Sequence, residues 1–213
     1  MSANQLRAAK AQLRRQMQER LAALSPPQAR LRSTEIIRRV LATEAWDTAE
    51  IVLAFVSLPG EVGTAQLCRA AIEDAKVLGL PRVTPGGLVF HRVDNWPFTA
   101  VRSAYGINEP AADSALLTLT APSNGAVVSG EEEACPRLLV ITPGLAFDRD
   151  GGRLGRGGAY YDRLFASLEA RPDWSALAVG FDFQLVDRVP CGETDRRVHA
   201  VAIENELVAV VDR

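Results

Sequence analysis

The chain has 213 residues, 47% of them hydrophobic, which is enough for one full core, and no compositional break divides it into two domains. With 24 Lys/Arg against 26 Asp/Glu its formal net charge is −2, which argues against a general nucleic-acid binder, whose affinity rests on a basic surface. Three widely spaced cysteines outside any CxxC, only two histidines, and no apolar run near the ~18 residues of a membrane span argue against a disulfide framework, a zinc site, a histidine triad and a membrane anchor.

Residues 3–24 carry Leu6, Leu13, Met17, Leu21 and Leu24 on one helical stripe, closed by Ser25-Pro26-Pro27. Lys10 falls inside that stripe and Arg14 at its edge, so Lys10 either snorkels to water from a packed stem or points its ammonium inward at an anion. A second amphipathic helix is expected over 28–41. Residues 51–58 read as a buried strand stopped by Pro59-Gly60. Glu61 follows at what would be the carboxyl end of that strand, where open α/β sheets bind ligands, although the residues alone favour an ordinary loop glutamate. A helix is expected over 64–78 with Thr64 as N-cap, a strand within 76–83, and an alternating strand over 88–93. Cys68 reads as core filler. Residues 111–136, with the acidic run Glu131 to Glu133, read as a surface excursion with little chemistry.

The densest signal lies in residues 138–171. Residues 138–142 form an uninterrupted, β-branched apolar run, which suits a strand buried on both faces of a parallel sheet. Pro143-Gly144 ends it, and a turn bearing Asp148, Asp150, Gly151 and Gly152 leads to Arg153-Leu154-Gly155-Arg156-Gly157-Gly158. Tyr160, Leu164 and Leu168 then recur at helical spacing, so a helix is expected from Gly157 or Gly158. A strand feeding a glycine-rich turn that opens a helix presents unpaired N–H groups to an anion, and arginines add planar donors that fit phosphate oxygens in pairs. Asp162 in the first turn either favours the helix dipole or holds a divalent cation against phosphates. Two nucleotide motifs are nearly matched and both fail: Gly158-Ala159 stands where a P-loop needs Lys-Ser/Thr, and Tyr160 takes the last glycine of a dinucleotide fingerprint. Strands over 177–183, 198–203 and 207–211 complete the chain, the last two as an antiparallel hairpin around Glu204-Asn205-Glu206. Alternating strands and helices imply an α/β fold: a three-layer αβα arrangement with a mainly parallel, Rossmann-like open sheet and a C-terminal antiparallel hairpin.

The residues Pro143, Gly144, Leu145, Ala146, Phe147, Asp148, Gly152, Arg153, Leu154, Gly155, Arg156, Gly157, Tyr160, Tyr161 and Asp162 closely resemble the signature of the 5-formyltetrahydrofolate cyclo-ligase (5,10-methenyltetrahydrofolate synthetase) family. Gly158 stands where many members carry lysine, and Ala159 where the pattern has glycine, which leaves the loop one positive charge short and with less backbone freedom. The resemblance implies ATP binding by Lys10 and Arg14 together with Arg153, Leu154, Gly155, Arg156, Gly157, Gly158, Ala159, Tyr160 and Tyr161. It implies catalytic roles for Lys10, Arg14 and Arg156, and a folate site at Val56, Glu61, Arg156, Tyr160 and Tyr105, the last a stacking platform in Tyr105-Gly-Ile-Asn-Glu109-Pro110. Asp162 and Asp195 are the implied Mg²⁺ ligands, with His199 in place of a further aspartate. The expected protein is a cytoplasmic, monomeric ligase acting on 5-formyltetrahydrofolate and ATP, with no nucleic-acid or membrane partner. Two rivals remain: an anion or sugar-phosphate binder or cyclo-ligase-like paralogue with another substrate, and a non-enzymatic module docking RNA or protein through its basic N-terminal helices.

Overall fold

The uninterrupted apolar run at 138–142 forms the middle strand of a seven-stranded sheet. A computed structural model of the protein describes residues 1–103, 106–119 and 135–210. In chain order the elements are α1 (Ala3–Ala22), α2 (Pro26–Leu41), α3 (Glu44–Thr48), β1 (Ile51–Leu53), α4 (Ala65–Glu73), β2 (Val77–Thr84) and β3 (Gly87–Val93). There follow β4 (Ala100–Arg102), β5 (Asn108–Pro110), β6 (Leu138–Thr142), β7 (Ala146–Phe147), β8 (Arg153–Leu154), α5 (Tyr160–Leu168), β9 (Trp174–Val179), β10 (Ala200–Ala202) and β11 (Leu207–Ala209).

The large sheet runs β11-β10-β9-β6-β1-β2-β3. Neighbours from β10 through β2 are parallel, and the sheet ends in antiparallel pairs, β2 with β3 and β10 with β11. All five residues of β6 are buried, as its lack of polar alternation requires when both faces are covered. Successive residues serve opposite faces. Val52, Leu139 and Ile141 meet Met17, Ile36, Ile37, Val40 and Leu67 of α1, α2 and α4, while Leu53, Val140 and Ala178 meet Leu164, Phe165 and Leu168 of α5. The result is the expected three-layer α/β fold with its C-terminal hairpin, whose turn is closed by Ile203 N–H donating to the Glu206 carbonyl at 3.0 Å. Ser25-Pro26-Pro27 also begins α2, with Ser25 as N-cap and prolines where helical N–H groups lack partners anyway.

Several boundaries differ from the expectation. The strand expected over 51–58 pairs only as β1, because the apolar residues after Leu53 line a cavity instead of continuing the ladder. The helix expected to reach residue 78 stops at Glu73, since Ala75 adopts φ +56° and Leu78 belongs to β2. Thr64 precedes α4, but its hydroxyl bonds the Phe55 carbonyl and Ser57 in place of a cap. The strand expected over 177–183 is β9, which starts earlier and gives way to a 3₁₀ turn at Asp182–Gln184. α3 had no visible periodicity in five residues. Part of the expected surface excursion is tied to the sheet: Arg92 N–H donates to the Ala115 carbonyl and Leu117 N–H to the Phe90 carbonyl, both at 2.8 Å. Tyr105 and Glu131 to Glu133 lie outside the described residues.

Candidate active site

Polypeptide leaving the carboxyl ends of β1 and β6, together with β2 and the glycine loop, encloses a cavity of about 590 Å³. The fold alone makes this the expected ligand position. One end is cationic and glycine-rich, with Lys10, Arg14, Arg153, residues 155–158, Asp162 and Asp195; the other is apolar, with Phe55, Val56, Pro81, Val83, Leu88 and Ile107.

The glycine loop is held from below. Asp148, 4% exposed, accepts from Gly152 N–H at 2.7 Å and Asp150 N–H at 3.0 Å through one oxygen, and from Val189 N–H at 2.7 Å through the other. This closes the β7–β8 hairpin and fixes it to the segment that leads to Asp195. Gln184, also buried, donates to the carbonyls of Gly144 and Leu145 and so clamps the Pro143-Gly144 turn. From α1, Arg14 Nε donates to the Gly155 carbonyl at 2.9 Å. Gly157 then takes φ +111°, a conformation side chains rarely adopt. Among the described residues the N–H groups of 156–158 find no protein acceptor, so they remain available to an anion.

The helix starts two to three residues later than expected, at Tyr160, because Ala159 is its N-cap in the left-handed conformation (φ 52°). Gly158 passes so close to Tyr160 that a Cβ there would meet the ring at 2.6 Å. Arg163 stacks over the same ring and donates to the Gly158 carbonyl at 3.0 Å, bringing a guanidinium to the stretch of loop that lacks a lysine.

Three ion pairs join the cavity's charges. Lys10 Nζ lines the cavity and contacts both oxygens of Asp195 at 2.7 and 2.5 Å, so of the two readings the ammonium turns inward to an anion, here a carboxylate, and does not snorkel to water. Arg156 Nε donates to Glu61 Oε1 at 3.2 Å, and Glu61 Oε2 accepts the Leu58 N–H at 2.9 Å. Arg153, read from sequence as a phosphate contact, is turned inward: its side chain is 4% exposed, lies over Tyr161 and Phe165, and donates to Asp162 Oδ1 at 2.9 Å. The same oxygen accepts from Arg196 N–H, so Asp162 ties the glycine loop to the 192–196 segment in addition to sitting in the first helical turn. Burial raises the Glu61 carboxyl against the opposing pull of the Leu58 N–H and Arg156. Burial, with the Glu61 charge added, raises the Tyr161 phenol and keeps it protonated.

Lys10, Arg14, Val56, Glu61, Arg153, Leu154, Gly155, Arg156, Gly157, Gly158, Ala159, Tyr160, Tyr161, Asp162 and Asp195 therefore share one cavity. Of its apolar end, Ile107 and Glu109 belong to the Tyr105 to Pro110 stretch that the resemblance tied to the folate site, although only Tyr105 was given a role there, and Leu88 was read only as part of an alternating strand. His199 is structural, its Nδ1 accepting the Ala176 N–H at 2.8 Å and its ring edge-on to Trp174. Burial pushes the Cys68 thiol up to about 12, as befits a core residue.

As a possible metal site, Asp162 and Asp195 supply two hard carboxylates to the cationic end. Among the described residues Asp162 Oδ2 accepts no hydrogen bond, and no group of three or more His, Cys, Asp or Glu gathers that could hold a metal. Two carboxylates plus phosphate oxygens are the usual setting for Mg²⁺, so the donor set fits once Lys10 releases Asp195.

The family model for the 5-formyltetrahydrofolate cyclo-ligase family matches residues 6–204. A mouse 5-formyltetrahydrofolate cyclo-ligase is 27% identical over 209 residues, covering 96% of this chain and 98% of the mouse protein. The Escherichia coli K12 5-formyltetrahydrofolate cyclo-ligase is 29% identical over 199 residues, 90% of this chain and 98% of the other. The solution structure of Aquifex aeolicus 5,10-methenyltetrahydrofolate synthetase superposes with a TM-score of 0.74 at 25% identity, covering 96% and 94% of the two chains. With its signature loop, its sheet and nearly its whole length matched, the chain belongs to the 5-formyltetrahydrofolate cyclo-ligase family.

Proposed function

We propose that the protein converts 5-formyltetrahydrofolate and ATP to 5,10-methenyltetrahydrofolate, ADP and phosphate. The observation that carries this reading is one cavity of about 590 Å³ lined both by a cationic glycine loop and by the apolar side chains of Phe55, Val56, Pro81, Val83, Leu88 and Ile107. The formyl oxygen is a poor leaving group. It attacks the γ-phosphorus of ATP and ADP departs; N10 then adds to the activated carbon, phosphate leaves with the C–O electron pair, and N10 gives up its proton.

Little covalent help is required of the protein, so its task is alignment and charge compensation. The free N–H groups of 156–158 and Arg156 receive phosphate oxygens, Arg14 holds the loop through Gly155, and Lys10 exchanges Asp195 for the nucleotide. Arg153 positions Asp162. Bound Mg²⁺, held by Asp162 and Asp195, would offset charge on the phosphates. Val56, Glu61, Tyr160 and Tyr105 are the substrate contacts, and Glu61 also restrains Arg156 between the two ends.

The N-terminal arginines support a small-molecule role over RNA docking. Arg32 pairs with Asp182 and Glu204, and Arg39 donates to the carbonyls of Ile203 and Glu204, so these cations fasten the helices to the C-terminal segment. No helix among the described residues is long and apolar enough to cross a membrane. We place the protein in the cytoplasm as a monomer. The test is to mix protein, 5-formyltetrahydrofolate and MgATP and follow the methenyl chromophore together with ADP. Folded protein that forms neither would overturn the reading.

A further inference from the structure

The apolar end of the cavity holds a carboxylate that the mechanism above leaves unused. Glu109, in β5, is 3% exposed and lines the cavity among Pro81, Val83, Leu88 and Ile107, none of which has a side-chain donor. Its Oε1 accepts the Val83 N–H at 3.2 Å. Its Oε2 accepts no hydrogen bond among the described residues, and the nearest cation, Arg82, stands 3.9 Å away with its guanidinium donating to the Pro110 carbonyl. Glu61 differs, because both its oxygens are already engaged, by Arg156 and by the Leu58 N–H. Arg82 thus offsets the charge of Glu109 at the limit of an ion pair, but leaves Oε2, buried and facing the cavity, without a hydrogen-bond donor. A donor on a bound ligand would complete it.

We propose that Glu109 is a specificity-determining residue that reads the donor edge of the substrate's ring, the neighbouring amino and ring N–H groups of a 2-amino-4-oxopteridine. Two parallel N–H groups match a carboxylate's two oxygens, and the surrounding apolar side chains cover the ring and strengthen the contact by excluding water. The identity of the ring rests on the cyclo-ligase reading; the presence of a donor-seeking acid at the apolar end does not. Glu61 keeps its place at the junction with the phosphates.

The test compares 5-formyltetrahydrofolate with its 2-desamino-2-methyl analogue on wild-type protein and Glu109→Gln. Glutamine can still accept the Val83 N–H but turns an amide donor toward the ring's donors. The KM for 5-formyltetrahydrofolate is expected to rise about 10- to 100-fold, with the KM for ATP and kcat within about twofold, and the wild-type preference for the 2-amino compound to collapse by a similar factor. A preference left intact would show that Glu109 only braces Val83, whatever happens to KM, and would overturn the proposal. Should Glu109→Gln fail to fold, Glu109→Asp withdraws the carboxylate by one methylene without removing its charge; it too is expected to lose the preference, and retention overturns the proposal. If wild-type protein forms no methenyl product, the activity reading has failed, and calorimetric binding of the two compounds to the same proteins still decides the role of Glu109.

Discussion

Lys10 shows how a partner changes the outcome expected of one substitution. Its stem lies in an apolar stripe, so Lys10→Met on an isolated helix would be neutral or favourable. In the folded protein the change leaves Asp195, 17% exposed at its side chain, with only the Gly192 N–H. Stability is therefore expected to fall by about 1–2 kcal/mol, and ATP affinity to fall as well. Adding Asp195→Asn should recover most of the lost stability and none of the ATP affinity; melting temperatures and ATP titrations of the two single mutants and the double mutant check both halves. Glu61 makes a prediction in pH. Because burial raises its carboxyl above the ordinary 4.5, the folded chain holds a proton there that the unfolded chain has already lost. Its contribution to stability thus declines as pH rises from about 4.5 through the raised value. Glu61→Gln should remove that decline, so the stability difference between wild type and variant narrows or reverses toward higher pH, as read from urea midpoints across the window.

At the scale of the element, the entry to α5 decides what the glycine loop can offer. Gly157 at φ +111° meets nothing nearer than Arg14 at 3.9 Å, so Gly157→Ala is opposed by backbone conformation and not by a clash. It is expected to cost about 1–3 kcal/mol and to weaken ATP binding by displacing the free N–H groups. Ala159 is the opposite case: an L-residue held at φ 52°, where the family pattern has glycine. Ala159→Gly should raise stability by about 0.5–1 kcal/mol, the relief of the left-handed conformation less the added freedom of the unfolded chain. Denaturant unfolding of both variants measures the two effects, and a loss of stability in Ala159→Gly would show that its methyl group contributes packing at this turn.

Across the whole molecule, Asp148 connects parts of the chain that sequence distance separates, since one carboxylate receives N–H groups from its own hairpin and from Val189. Asp148→Asn keeps the volume but turns an amide donor against those donors, so a loss of about 2–4 kcal/mol is expected, with weaker Mg²⁺ dependence because the Asp195 segment is released. Calorimetric unfolding and a magnesium titration of turnover check it. The sequence by itself determined what depends on neighbours along the chain: the doubly buried run of β6, the glycine turn, the Ser-Pro-Pro helix start and the signature that names the family. It also indicated most of the cavity lining, because a strand, a turn and a helix start in succession put their residues at one sheet edge. Only the tertiary structure decided how each charge is satisfied. Lys10 meets Asp195 across 185 residues and Glu61 meets Arg156 across 95, Arg153 turns inward to Asp162, and Glu109 is buried in an apolar wall. Periodicity and propensity report a residue's own stretch of backbone, whereas the partner of a buried charge is whichever group chain closure brings within hydrogen-bond reach, and no local pattern records that distance.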